Sequence, residues 1–210
     1  MRGIAFIGGE IPGSGALKKI ALGADILAAA DSGLVAAEEA GLKVDWILGD
    51  MDSIDDPGRL EKYDPDIIHR FPSDKDLTDT ELTLAFLREE GCDEIWIAGG
   101  GGGRLDHLLA IRSLFERDEP PLRWFTAHEE IRCIMDGKLL KKSLPSESLV
   151  SVFPLGSGPW EADSFGLKWP LVGLPWSSGS YGLSNVVPFG HLEIRSVKGR
   201  FMVIMPMTVF

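Results

Sequence analysis

The first part of the chain repeats one pattern: a short apolar run, a loop rich in glycine or aspartate, then a segment with helical spacing. Gly3–Ile7, Ile26–Ala30, Trp46–Leu48, Ile67–Arg70 and Glu94–Ala98 read as strands. Ala16–Leu22, Leu34–Ala40 and Leu105–Phe115 read as helices, with Gly41 stopping the second. The clearest helix start is Thr78-Asp79-Thr80-Glu81, where Thr78 caps the helix and Glu81 reaches back to it. Leu82, Ala85 and Phe86 follow at helical spacing, and Gly91 ends the run. Strands alternating with helices predict a doubly wound, mainly parallel sheet, with ligands at the carboxyl ends of its strands.

The pattern fades after Arg132. Short apolar runs at Leu149–Phe153, Leu192–Val197 and Phe201–Met205 are broken by Gly, Pro and Ser clusters, as in an antiparallel β domain. The expected fold is therefore α/β. Residues 1–132 would form the doubly wound domain, and residues 133–210 a smaller C-terminal antiparallel β-sandwich. Lys198-Gly199-Arg200 is read as a tight hairpin connection.

Charge limits the partners. A net charge of −11 argues against nucleic acid, which needs a basic surface. It is compatible with a nucleotide if a divalent cation screens the repulsion. No apolar run is long enough to span a bilayer, and the N-terminal run is too short for a signal peptide. The two cysteines, Cys92 and Cys133, form no CxxC pair and no disulfide framework. Reduced thiols and a cytoplasmic location are the expectation.

Three segments carry the chemistry: Gly49-Asp50-Met51-Asp52-Ser53, Asp76-Leu77-Thr78-Asp79 and Gly102-Gly103-Arg104-Leu105-Asp106-His107. In an extended segment Asp50 and Asp52 share a face and can share one Mg²⁺. The same residues are also ordinary turn formers. Asp79 suits a helix N-terminus by charge alone, yet a second acidic pair after a strand points to a common cation. Gly99 through Gly103 are five consecutive glycines between a strand and a helix, a loop able to offer backbone N–H groups to phosphate. Neither Walker A nor GxGxxG spacing is met. Arg104 adds a fork for phosphate oxygens. Asp106 has three open roles: metal ligand, activator of a hydroxyl, or helix cap. The four histidines lack metal-ligand spacing, and no nucleophile motif occurs. Trp169 and Trp176 lie in a Pro/Gly-rich stretch and are candidates to stack on an aromatic ligand.

Taken in order, the segments resemble the thiamine pyrophosphokinase family. Ala30-Asp31-Ser32-Gly33, Leu48–Ser53, Asp76–Asp79 and Gly102–His107 carry the resemblance, with Gly166–Leu171 and Leu183-Ser184-Asn185 in the later part. The resemblance implies an ATP-binding α/β domain, a β-sandwich, and a homodimer with thiamine near the subunit interface. It implies transfer of diphosphate from ATP to the thiamine hydroxyl, releasing AMP. Asp50, Asp52 and Asp79 would hold Mg²⁺. Gly100, Gly101, Gly102, Gly103, Arg104 and Thr78 would hold ATP, and Ser184, Asn185 and Trp169 thiamine. Asp31, Asp76 and Asp106 are each candidates to orient the hydroxyl or accept its proton. The family usually has Asp-Gly-Gly where this chain has Asp31-Ser32-Gly33, so Ser32 is expected to disturb the local backbone. Two other readings use the same features: a diphosphokinase for another heteroaromatic alcohol, such as a hydroxymethylpterin, and a nucleotide sensor without turnover.

Overall fold

The computed structural model describes residues 1–54, 56–74 and 76–208. They form two compact units. The first comprises Met1–Leu114 and Trp124–Ala127, the second Phe115–Arg123 and His128–Thr208.

The first unit runs β1 (Arg2–Phe6), α1 (Ser14–Ala21), β2 (Ile26–Ala30), α2 (Gly33–Glu39) and β3 (Trp46–Gly49). Two 3₁₀ turns, Pro57–Lys62 and Pro65–Ile67, lead into β4 (Ile68–Arg70). Then come α3 (Asp79–Glu89), β5 (Glu94–Ala98), α4 (Leu105–Leu114) and β6 (Arg123–Phe125), of which Arg123 belongs to the second unit. In the sheet β5 lies beside β1, then β2, β3 and β4 follow, and every one of these pairs is parallel. Ile4, Ala5 and Phe6 are consecutive and all fully buried, as are Ile97 and Ala98. A strand covered on both faces cannot alternate, which is why these runs read as continuously apolar. Each buried Leu, Ile or Phe contributes about 1.5–3 kcal/mol. Helix α3 carries the expected capping box: Thr78 Oγ1 accepts from the Glu81 N–H, and Glu81 accepts from the Thr78 N–H. Its buried Leu87 packs on Gly3 of β1.

The chain moves outward from β1 through β4 and then returns to the other flank of β1 as β5. The order reverses between β1 and β5, and the loops at their carboxyl ends flank the crevice where such sheets take ligands.

The second unit contains β7 (Glu129–Ile134), β8 (Leu139–Ser143), β9 (Ser148–Leu155), β10 (Glu161–Phe165), β11 (Gly182–Val187), β12 (His191–Lys198) and β13 (Arg200–Pro206). One antiparallel sheet has the order β11-β9-β13-β7, the other β10-β12-β8. Both feed one core: Val150, Val152, Phe201 and Val203 from the first, Leu140, Ala162, Leu192 and Ile194 from the second. The second unit is thus a β-sandwich. Among the described residues, no helix is long and apolar enough to cross a membrane.

Lys198-Gly199-Arg200 is not a hairpin. β12 pairs with β10 and β8, while β13 pairs with β7 and β9. The chain bends at Gly199 and passes from one sheet to the other. A sharp turn in sequence need not bring its two flanks into register.

A buried ionic group ties the second unit together. Glu130 is fully buried and accepts from Arg123 Nη2 at 2.6 Å, Lys142 Nζ at 2.7 Å and Arg132 Nε. Burial alone would raise its carboxyl, but Arg123, Arg132 and Lys142 outweigh it and hold the group at about 2. Glu130→Gln removes the charge that three cations face and should destabilise the protein by about 3 kcal/mol. In the parent this stabilisation is present at neutral pH and is lost as the pH falls toward about 2. Urea melts of the two proteins at neutral pH check the loss; coincident curves contradict it.

Candidate active site

Three carboxylates meet where β2, β3 and α3 present their ends. Asp31 follows β2, Asp50 follows β3, and Asp79 opens α3. One oxygen from each lies within 4.8 Å of the others. Neighbouring parallel strands end side by side, so residues just past β2 and β3 are brought together although far apart in sequence. Asp31 adopts φ +44, and its Oδ1 accepts from the Met51 N–H at 3.1 Å. Gly49 makes room for it. With φ +144, Gly49 has a backbone few side chains adopt, and a Cβ there would lie 1.9 Å from Asp31 Oδ1.

Asp31 is pushed up to about 7, first by burial and then by the negative charge of Asp79 and Asp50, against the favourable Met51 N–H. Three crowded carboxylates with hard oxygen donors suit a small divalent cation. Without one, the folded chain binds a proton at Asp31 that the unfolded chain, with an ordinary carboxyl near pKa ~4, gives up earlier. Stability of the cation-free protein should therefore fall as pH rises from about 4 to about 7. Urea melts in chelator across that range check the sign. Asp31→Asn should flatten the dependence; an unchanged slope contradicts this origin.

Asp52 does not join the group. The extended segment expected for Asp50–Asp52 is instead a turn: Met51 is buried at φ +68, and Asp50 Oδ1 accepts from the Asp52 N–H at 3.1 Å. The turn's own hydrogen bond replaces the shared face. Asp52 is exposed and accepts from Ser53 Oγ at 3.0 Å. Asp76 is exposed and likewise outside the group. The Thr78 hydroxyl is engaged in the cap, accepting from the Glu81 N–H and donating to Glu81 Oε2.

The glycine run divides into two parts. The Gly99 N–H donates to Phe125 O, the Gly100 N–H to Gly8 O, and the Gly101 N–H to Glu10 O. Only Gly102 and Gly103 keep N–H groups without a partner among the described residues. The expectation that Gly100 and Gly101 offer theirs fails because the loop after β1 has claimed them. Close approach explains the glycines here: a Cβ at Gly99 would lie 2.1 Å from Ile7 O, and one at Gly100 2.4 Å from Ile111 Cδ1. The loop is therefore a rigid edge laced to Gly8–Glu10. Glu10 lies at the same edge, bonded through its backbone to Gly101. Its carboxyl carbon lies 2.5 Å from the place a Gly102 Cβ would take. The Gly8-Gly9 pair, one residue beyond β1 and beside the sheet's switch point, is the sequence signal for this edge.

Arg104 and Asp106 stand at the entry to α4, both exposed. They pair in fork geometry, Nε to Oδ1 at 3.1 Å and Nη2 to Oδ2 at 2.5 Å. The Arg104 guanidinium holds the Asp106 carboxyl down at about 2. Asp106 also accepts from the His107 N–H at 3.1 Å.

In the second unit, Asn185 is buried and its side chain is already engaged. Oδ1 accepts from the N–H groups of Trp169 and Val186 at 3.1 and 2.9 Å, and Nδ2 donates to Trp169 O at 2.6 Å. Asn185 holds the backbone of Trp169, whose ring is half exposed with Lys168 Nζ 4.8 Å from its centroid. Ser184 is exposed at φ +54, and its N–H donates to Ser151 Oγ. Trp176 packs against the core beside Phe201.

Residues 17–122 match the thiamin pyrophosphokinase catalytic domain, about half of the chain. The thiamine pyrophosphokinase of Bacillus subtilis is 30% identical over 146 residues, which cover 67% of this chain and 68% of that one. This chain belongs to the thiamin pyrophosphokinase family. A crystal structure of the B. subtilis thiamine pyrophosphokinase superposes with a TM-score of 0.80 at 25% identity, covering 98% of this chain and 99% of that one. The thiamin pyrophosphokinase of Candida albicans shares the fold, with a TM-score of 0.72 at 16% identity over 99% of this chain and 89% of that one. Membership in the thiamin pyrophosphokinase family makes this a kinase-type enzyme. Asp31, Asp50, Asp79, Arg104 and Asp106 all fall inside the matched catalytic domain. Ser32, the departure from the usual thiamin pyrophosphokinase pattern, sits at φ −61, ψ −12. That is ordinary helical backbone for serine, and the expected disturbance does not arise. Its hydroxyl lies 2.4 Å from where a Cβ on Gly8 would be, so Gly8 makes the room it needs.

Proposed function

We propose that the chain is a thiamine diphosphokinase, moving a diphosphate group from ATP to the hydroxyl of thiamine and releasing AMP. The observation that carries this reading is the convergence of Asp31, Asp50 and Asp79 at the strand ends of a chain in this family. Mg²⁺ fits their oxygens; when bound, it supplies charge neutralisation on the phosphates. Asp50 and Asp79 would hold it with Asp31. Asp52 would join only if the turn at Met51 reopens. The N–H groups of Gly102 and Gly103 and the Arg104 fork would receive phosphate oxygens and stabilise charge on the transferring group. The thiamine hydroxyl attacks the β-phosphorus in line, its oxygen forms the new P–O bond, and AMP leaves. Asp31 would join Asp50 and Asp79 as a charged carboxylate, because a bound cation favours the ionised form. Trp169, held by Asn185, would stack on the thiamine ring system, and Ser184, next to Asn185 in sequence, would contact thiamine too.

The test is product analysis with ATP and Mg²⁺. AMP should form in step with thiamine diphosphate, and neither should form without thiamine. AMP formation with a hydroxymethylpterin in place of thiamine would favour the related diphosphokinase. Nucleotide binding with no turnover would favour a sensor. Cys92 and Cys133 are buried free thiols, in keeping with a reducing, cytoplasmic setting.

The working enzyme is proposed to be a homodimer. Phe165, Trp169, Val172, Tyr181 and Leu183 are all more than half exposed in one stretch of the second unit. Surface of that kind is commonly covered by a two-fold partner. If thiamine is held at that interface, Asp50→Asn mixed with Ser184→Ala/Asn185→Ala should regain activity in the mixed dimer, because one of its sites keeps both intact halves. No recovery in a proven mixed dimer would place each site in a single chain.

A further inference from the structure

The Arg104 fork, which could receive an anion at the glycine loop, already faces a carboxylate of the chain itself. Asp106 fills the Arg104 fork with two hydrogen bonds. A guanidinium presents one planar fork, and a carboxylate and a phosphate compete for it with the same geometry. Only one residue separates Arg104 from Asp106, and both side chains are exposed, so neither packing nor distance prevents exchange.

We propose that Asp106 is a stand-in for substrate phosphate: it holds the Arg104 fork in position until a polyphosphate–metal complex displaces it. The inference rests on the diphosphokinase reading above and assigns Asp106 a positioning role within it. Binding then swaps one ion pair for another. Arg104 turns from Asp106 to a phosphate oxygen, and Asp106, released, keeps its bond to the His107 N–H in the first turn of α4, where a negative charge is favourable. Arg104 is kept from wandering in the free enzyme, at the cost of some affinity.

A double-mutant cycle separates this exchange from a general effect of charge. Binding of the Mg²⁺ complex of α,β-methylene ATP, which cannot be cleaved between its α- and β-phosphates, is measured by calorimetry. The proteins are the parent, Asp106→Asn, Arg104→Ala and the double variant, with circular dichroism confirming that each folds. An exposed ion pair is a weak competitor, so Asp106→Asn should bind about two- to fivefold tighter than the parent. Arg104→Ala should bind about tenfold weaker. In the Arg104→Ala background, Asp106→Asn should gain nothing. An equal gain in both backgrounds would show that Asp106 acts only through its charge, and overturns the exchange. Weaker binding by Asp106→Asn, or binding by none of the four proteins, overturns it as well. Turnover of the parent with thiamine and ATP, run on the same preparation, judges the diphosphokinase reading separately.

Discussion

Asp50→Asn and Asp79→Asn should each fold as the parent does and lose turnover by at least about a hundredfold. Each substitution removes a charge and keeps the shape. Neither residue is buried in the core; both stand at the open ends of elements whose packing lies elsewhere. The one place where their charge is concentrated is the group with Asp31, where three carboxylate oxygens lie within 4.8 Å. A cation bridging that group to ATP loses a ligand in either variant, and the negative charge of the transferring group is then less well compensated. Thermal melts in chelator and turnover at saturating thiamine separate the two effects. The melting temperature should stay level or rise, since repulsion within the group is relieved. Near-parental turnover by either variant at limiting Mg²⁺ would remove that residue from the chemistry.

Gly99→Ala should destabilise the fold by about 3 kcal/mol or more. Gly99 sits at φ +114, where an L-residue is strained, and its added methyl would lie 2.1 Å from Ile7 O. Ile7 cannot withdraw, because its N–H is bonded to Ala98 O at 2.9 Å and its side chain is buried. The Gly99 N–H and O are also bound, to Phe125 O and Trp124 Nε1. The clash therefore falls on the seam between β1 and β5. Gly103→Ala is the control: nothing lies within 4 Å of its Cβ, although φ +66 carries a smaller penalty. Urea unfolding of both variants checks the contrast. A loss below about 0.5 kcal/mol for Gly99→Ala would show that the seam yields easily.

The parallel strands were legible because strands buried on both faces leave unbroken apolar runs. Helix α3 was legible because its cap is local chemistry spelled out in four residues, Thr78 to Glu81. β8 and β10 were not. Leu-Leu-Lys-Lys-Ser and Glu-Ala-Asp-Ser-Phe each bury little, so their polar sides hide the strand. The site was half legible. Aspartates after strands mark the right end of the sheet, but which of them meet depends on strand adjacency and on turns. β2 and β3 are neighbours, so Asp31 joins Asp50. A single left-handed residue, Met51, keeps Asp52 outside. Asn185 binds the Trp169 backbone, a contact between residues 16 apart that no local pattern encodes.

A diphosphate, not a single phosphate, should move to thiamine on this chain. ATP labelled at the γ-phosphorus tests it directly, with thiamine and Mg²⁺ present and products separated by chromatography. The label should appear in thiamine diphosphate, with unlabelled AMP formed in equal amount and no ADP. Label in thiamine monophosphate beside ADP, or label left in ATP while the nucleotide stays bound, would contradict the account.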